Sequence, residues 1–108
     1  MTKFNEHIEI GLNTNSVGDV SETVEIKENS QVAMQVIANS GAHTTHIVDL
    51  QCSADGAAGD TTWHNVTNGS VNQTNIADGL LVIARYVRAR VSTAENAAST
   101  VDVYLQSI

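Results

Sequence analysis

Apolar and polar residues alternate one for one along most of this chain, a period that half-buried β-strands produce and helices do not. "FNEHIEIGL" places Phe4, Ile8, Ile10 and Leu12 on one side, with His7 and Glu9 on the other. "DVSETVEIKE" sets Val20, Val24 and Ile26 against Thr23, Glu25 and Lys27. "QVAMQVIA" puts Val32, Met34, Val36 and Ala38 on one face. "HIVDLQCS" turns Val48, Leu50 and Cys52 inward and Asp49 and Gln51 outward, and "TVDVYLQSI" does the same with Val101, Val103 and Leu105 against Asp102, Tyr104 and Gln106. No segment carries the wider stripe of an amphipathic helix.

The runs are separated by "NTNSVGD", "ENS", "NSGAH", "SADGAAGD", "TNGSVNQ" and "STAENAAS". These are clusters of the residue types that turns require. The reading is seven or eight strands, near residues 4–12, 19–28, 31–38, 44–53, 61–66, 71–76, 80–92 and 99–107. Strands with one apolar face bury it by packing two sheets together. The expected fold is therefore all-β: an antiparallel β-sandwich of about eight strands, jelly-roll-like, as one domain over 1–108.

Charge narrows the function classes. Twelve Asp and Glu against five Lys and Arg give a net charge of −7. An acidic surface repels phosphate backbones, which argues against nucleic acid as a partner. Cys52 is the sole cysteine, so no internal disulfide forms and the residue reads as a small core side chain. The first ten residues lack the apolar block of a signal peptide. The longest apolar run, "GLLVIA", suits a buried strand and is far too short to span a membrane. Expected is a soluble chain made in a cytoplasm, with no membrane partner. N-x-[ST] matches at Asn65, Asn68 and Asn72 read as one polar loop.

Three of the five basic residues fall on "IARYVRARVS". On a strand, Tyr86, Arg88 and Arg90 share one face, while Arg85 lies with Ile83, Val87, Ala89 and Val91 on the other. A hairpin across "STAENAAS" would bring Arg90 opposite Asp102 and Arg88 opposite Tyr104, or Arg88 opposite Asp102 after a two-residue shift. Arg85, Tyr86, Arg88, Arg90, Asp102 and Tyr104 are thus the candidate interface residues. The plainer reading of the same residues is a solvated sheet face with local charge pairing. A phosphate site lacks a supporting lysine or glycine-rich loop.

Other polar residues read as scaffold. His43 and His46 point to opposite faces of a strand, and His64 beside Trp63 suits packing. Asp55 and Asp60 flank "GAAG", a pair that could hold calcium, but an Asp-Gly turn with a left-handed glycine accounts for Asp55 and Gly56 more simply. Trp63 reads as an anchor at a strand start, and 4% aromatic content is too little for a sugar-stacking platform. No G-x-S-x-G, P-loop, S-x-x-K or zinc motif occurs, so no catalytic residue, metal or cofactor is assigned.

The segment from "IVDLQCSADGAAGDTTWHNV" to the closing strand resembles two groups of proteins through Ser53, Asp55, Gly56, Trp63, Val66 and Ala84 to Arg88. One is the small β-sandwich virion proteins of tailed phages, including capsid decoration (cement) proteins and tail-associated proteins. The other, more weakly, is the discoidin-like modules, many of which bind carbohydrate. The absence of paired cysteines, and a chain that reads as a stand-alone domain, favour the virion group. That resemblance implies a non-enzymatic structural protein on the capsid surface. Its partners would be the major capsid protein and copies of itself, with a trimer expected. A carbohydrate-binding module for host attachment and a tail or baseplate component are the alternatives.

Overall fold

The computed structural model describes residues 6–13, 17–27, 30–40, 46–57, 59, 61–72, 75–93 and 100–107. They form β1 (Glu6–Asn13), β2 (Val24–Glu25), β3 (Ser30–Ser40), β4 (Ile47–Ser53), β5 (His64–Asn72), β6 (Asn75–Val82), β7 (Tyr86–Thr93) and β8 (Thr100–Ser107). One sheet has the order β1-β8-β3-β6 and the other β2-β7-β4-β5. Since β2 holds two residues, the second sheet is three full strands with a short edge piece.

The pairing follows one rule. β1 pairs with β8, β2 with β7, β3 with β6 and β4 with β5, all antiparallel, as in one long hairpin of nested pairs. Rolling that hairpin up adds the contacts β3 with β8 and β4 with β7. The result is the jelly roll expected from the sequence.

Both sheets turn their alternating apolar residues inward. Val32, Met34, Val36, Val101, Val103 and Leu105 meet Val48, Leu50, Val71, Val87, Ala89 and Val91, with Val24, Ile26, Ala77, Leu80 and Val82 completing one cluster. Met34, Val36, Val48, Leu50, Ala89, Val91, Val101 and Val103 are fully enclosed. Each large apolar side chain buried in this way contributes about 1.5–3 kcal/mol against the entropy of ordering it.

The structure corrects the sequence reading in three places. The strand expected over 19–28 shortens to Val24–Glu25 because Ser21 diverts it. Ser21 N–H donates to Ala89 O at 2.9 Å, but the Ala89 N–H donates to Ser21 Oγ at 2.8 Å instead of to a backbone carbonyl. A side-chain acceptor thus replaces one rung of the ladder. Val20, expected in the core, is 42% exposed.

The second correction concerns strand limits. The expected strands at 61–66, 71–76 and 80–92 are β5, β6 and β7 in shifted positions. "TNGSVN" continues β5 through a bulge rather than ending it. Asp49 pairs with Ser70 and Gln51 with Asn65, so Leu50 alone faces Val66 through Gly69. Asn68 takes a left-handed φ of 63° there, a conformation asparagine tolerates better than most residues. A Cβ on Gly69 would lie 2.9 Å from Val66 O and 3.2 Å from Leu50 Cβ, so the bulge closes only with glycine. The run "GLLVIARYVRARVS" breaks at residues 83–85, and Ile83, expected to face inward, is 69% exposed.

Third, β7 and β8 are not a hairpin: they belong to different sheets. Asp102 stands opposite Gly11 and Ile37, and Tyr104 opposite Glu9 and Gln35. The expected pairs of Arg88 and Arg90 with Asp102 and Tyr104 therefore do not form.

Candidate interface surfaces

Arg88 lies on the outer face of the second sheet, yet it is only 4% exposed. The segment between β4 and β5 folds back over it. Its Nε donates to Gln51 Oε1 at 2.9 Å, and its Nη1 donates to Gly59 O at 3.0 Å. The guanidinium carbon sits 4.4 Å from the centre of the Trp63 ring, a cation–π contact. Trp63 is itself buried, and its Nε1–H donates to Ala57 O at 2.8 Å. Gln51 Nε2 passes the network on to Asn65 Oδ1 at 3.0 Å, and Asn65 Nδ2 reaches Asp49 Oδ2 at 3.4 Å. Ser70 Oγ donates to the other Asp49 oxygen at 2.5 Å. The face expected to be solvated is thus a covered, hydrogen-bonded polar layer.

The covering turn is organised by Asp55. Its Oδ1 accepts from the Ala57 N–H at 3.1 Å, from Thr62 Oγ1 at 2.8 Å and from Ser53 Oγ at 2.9 Å. These bonds stabilise the carboxylate and hold its pKa below the ordinary aspartate value, the Ala57 amide contributing most and the Thr62 and Ser53 hydroxyls next. Gly56 has the expected left-handed φ, 64°, and a Cβ there would come within 2.9 Å of the Tyr86 ring. Tyr86 is therefore packed against the turn. Asp60 and His43 lie outside the described residues. His46 is fully buried and His64 exposed. Among the described residues no group of three or more His, Cys, Asp and Glu is placed to hold a metal ion.

The six candidate residues divide between surfaces. Tyr86, Arg88 and Arg90 face out from the second sheet, where Arg90 stands opposite Asp49. Asp102 and Tyr104, both half-buried, face out from the first sheet, on the other side of the sandwich. Arg85 belongs to the β6–β7 connection and pairs with Glu25 at 3.8 Å, with both side chains more than half exposed. No single flat surface presents all six.

A surface missed in the sequence lies beside Arg85. Cys52, Ala54, Asn65, Val66, Thr67 and the stretch Leu81–Arg85 line a groove of about 710 Å³. Leu81 and Ile83 are 60% and 69% exposed there. Burial raises the pKa of the Cys52 thiol, which keeps it protonated. The signal was present in "GLLVIA": on a strand, an unbroken apolar run loads both faces, and only one of them meets this core.

No protein-family model matches the chain, and no curated protein does. Among solved structures it is similar to the crystal structure of the SPBc2 prophage-derived protein YomS, with a TM-score of 0.53 and 8% sequence identity. The similarity covers 100% of this chain and 98% of that one. It establishes a shared β-sandwich fold from end to end. No helix of the described residues is long and apolar enough to cross a membrane.

Proposed function

We propose that the chain is a non-enzymatic structural protein of a phage-type virion, acting as a capsid decoration (cement) protein. The observation that carries this reading is the correspondence of the whole jelly roll, end to end, to a prophage-derived chain. The disposition of the polar groups supports it. Arg88, Trp63, Gln51 and Asp49 are engaged with one another and with the turn over them, which makes them scaffold. Among the described residues, the large apolar side chains left open to a partner are Val17, Val20, Ile76, Leu81 and Ile83. Exposed apolar residues of this kind suit contact with other protein surfaces. Repeated around a shell lattice, modest contacts sum through multivalency. The partners are the major capsid protein and further copies of the chain, with a trimer suited to threefold positions. Nucleic acid is not a partner, and the place of action is the capsid surface.

A carbohydrate-stacking role is disfavoured because the Trp63 ring is buried under Arg88. The test is co-sedimentation of the purified chain with shells lacking it, alongside mass spectrometry of purified particles and tail fractions. Saturable binding to shells and recovery with capsids is expected. Recovery only with tails, or no shell binding, overturns the reading.

A further inference from the structure

The groove beside Arg85 and an apolar corner elsewhere on the molecule are complementary in apolar character and charge. The corner is the segment before β2. It presents Val17 and Val20, 61% and 42% exposed, around Asp19, with exposed Glu22 just beyond. It is held against β7: Gly18 N–H donates to Val91 O at 2.8 Å, and Val91 N–H donates to Asp19 O at 2.9 Å. The neighbours of β7 are β4 on one side and β2 on the other, so the corner occupies the β2 side. The groove is walled by Asn65, Val66 and Thr67 of β5 and by the Leu81–Arg85 stretch, whose last residue, Arg85, reaches Glu25 of β2. It also lies toward the Tyr86 end of β7, whereas the corner meets the strand at Arg90 and Val91. The two surfaces are therefore separated along β7, the groove at its Tyr86 end and the corner at Arg90 and Val91, and do not meet within one chain.

We infer that the groove receives the Val17–Val20 corner of a second copy of this chain, in a head-to-tail contact. Leu81 and Ile83 supply apolar area to meet Val17 and Val20. Arg85, one of two exposed bases among the described residues with Lys27, faces the carboxylates of Asp19 and Glu22. Its pairing with Glu25 uses Nε, leaving the two terminal nitrogens as further donors. An acidic chain has few places where an acid-flanked apolar segment meets a base, and the groove is such a place. A contact between two different patches closes into a ring when the rotation fits, which is how a trimer would arise. The inference specifies the self-association included in the proposed function, but it concerns the free chain and does not require a shell.

The experiment uses two exposed positions, where substitution leaves the core untouched: Ile83→Asp in the groove and Val17→Asp on the corner. Sedimentation velocity over a concentration series is expected to show self-association of the unaltered chain. Each variant alone should associate about tenfold more weakly or worse, the effect of removing a central apolar anchor. An equimolar mixture of the two should recover a one-to-one complex and nothing larger, because one groove and one corner remain intact. Association unaffected by either variant overturns the inference, as does a mixture that fails to recover the pair. An unaltered chain that stays monomeric also overturns it. If in that case Ile83→Asp abolishes binding to shells, the groove belongs to another chain and the decoration reading stands alone.

Discussion

Arg88 is a charged side chain buried on the outside of a sheet, and its environment determines what its removal costs. Substitution by glutamine deletes two charge-assisted hydrogen bonds and a cation–π contact, and leaves Gln51 Oε1 without its donor. Hydrogen bonds to charged groups are worth about 1.5–3 kcal/mol each when a buried partner is stranded. Arg88→Gln should therefore lower the unfolding free energy by about 2–3 kcal/mol in urea. Arg88→Lys should recover little, because an ammonium cannot reproduce the planar fork. Gly56→Ala should cost about 1–3 kcal/mol, from left-handed backbone and collision with the Tyr86 ring. Asp55 gives a pH dependence. Its folded pKa is depressed, so its contribution is complete above the unfolded value of about 3.9 and disappears as pH falls through the folded value. Acid unfolding followed by circular dichroism should show a shallower acid limb for Asp55→Asn than for the unaltered chain.

At the scale of elements, the strands differ in how firmly they are held. β3 lies between β6 and β8, and β8 between β1 and β3, so both are paired along both edges. β2 contributes only the pairs Val24 with Val87 and Glu25 with Tyr86. Amide exchange should reach the global unfolding limit in β3 and β8, while β2 exchanges through local opening. Equal protection of β2 would contradict this ranking. Met34, fully enclosed on β3, is the most sensitive truncation site among the inward residues, and Met34→Ala should cost about 2–5 kcal/mol by leaving a cavity.

Across the whole molecule, the first strand, β1, pairs with the last, β8. Residues Glu6 to Asn13 register against Ser107 to Thr100, so the ladder at the β1 edge of the first sheet joins chain segments as far apart as this fold allows. Such non-local pairing makes folding slow, on the order of milliseconds to seconds. Deleting residues 100–107 removes the strand between β1 and β3 together with core residues Val101, Val103 and Leu105. The shortened chain should show no cooperative thermal transition in calorimetry, and a sharp transition would show that the sheet tolerates loss of its second strand.

What the sequence determined by itself was the class of fold and the facing of most strands. A period of two is local, and Val32, Met34 and Val36 or Val101, Val103 and Leu105 turn inward wherever the strands pair. The Asp55-Gly56 turn was legible for the same reason, since its left-handed glycine is a property of adjacent residues. Tertiary structure alone decided which strand lay beside which. The hairpin rule suggested β7 with β8, whereas nested pairing sends them to different sheets, separating Arg88 and Arg90 from Asp102 and Tyr104. It also decided which outward residues were covered. Asp49, Gln51 and Arg88 do face out, as their positions required, but the turn from β4 to β5 and the side chains of β5 shield them. Exposure of Leu81 and Ile83 was settled in the same way: hydropathy describes what a side chain prefers, and only the arrangement of neighbouring strands determines whether anything is there to cover it.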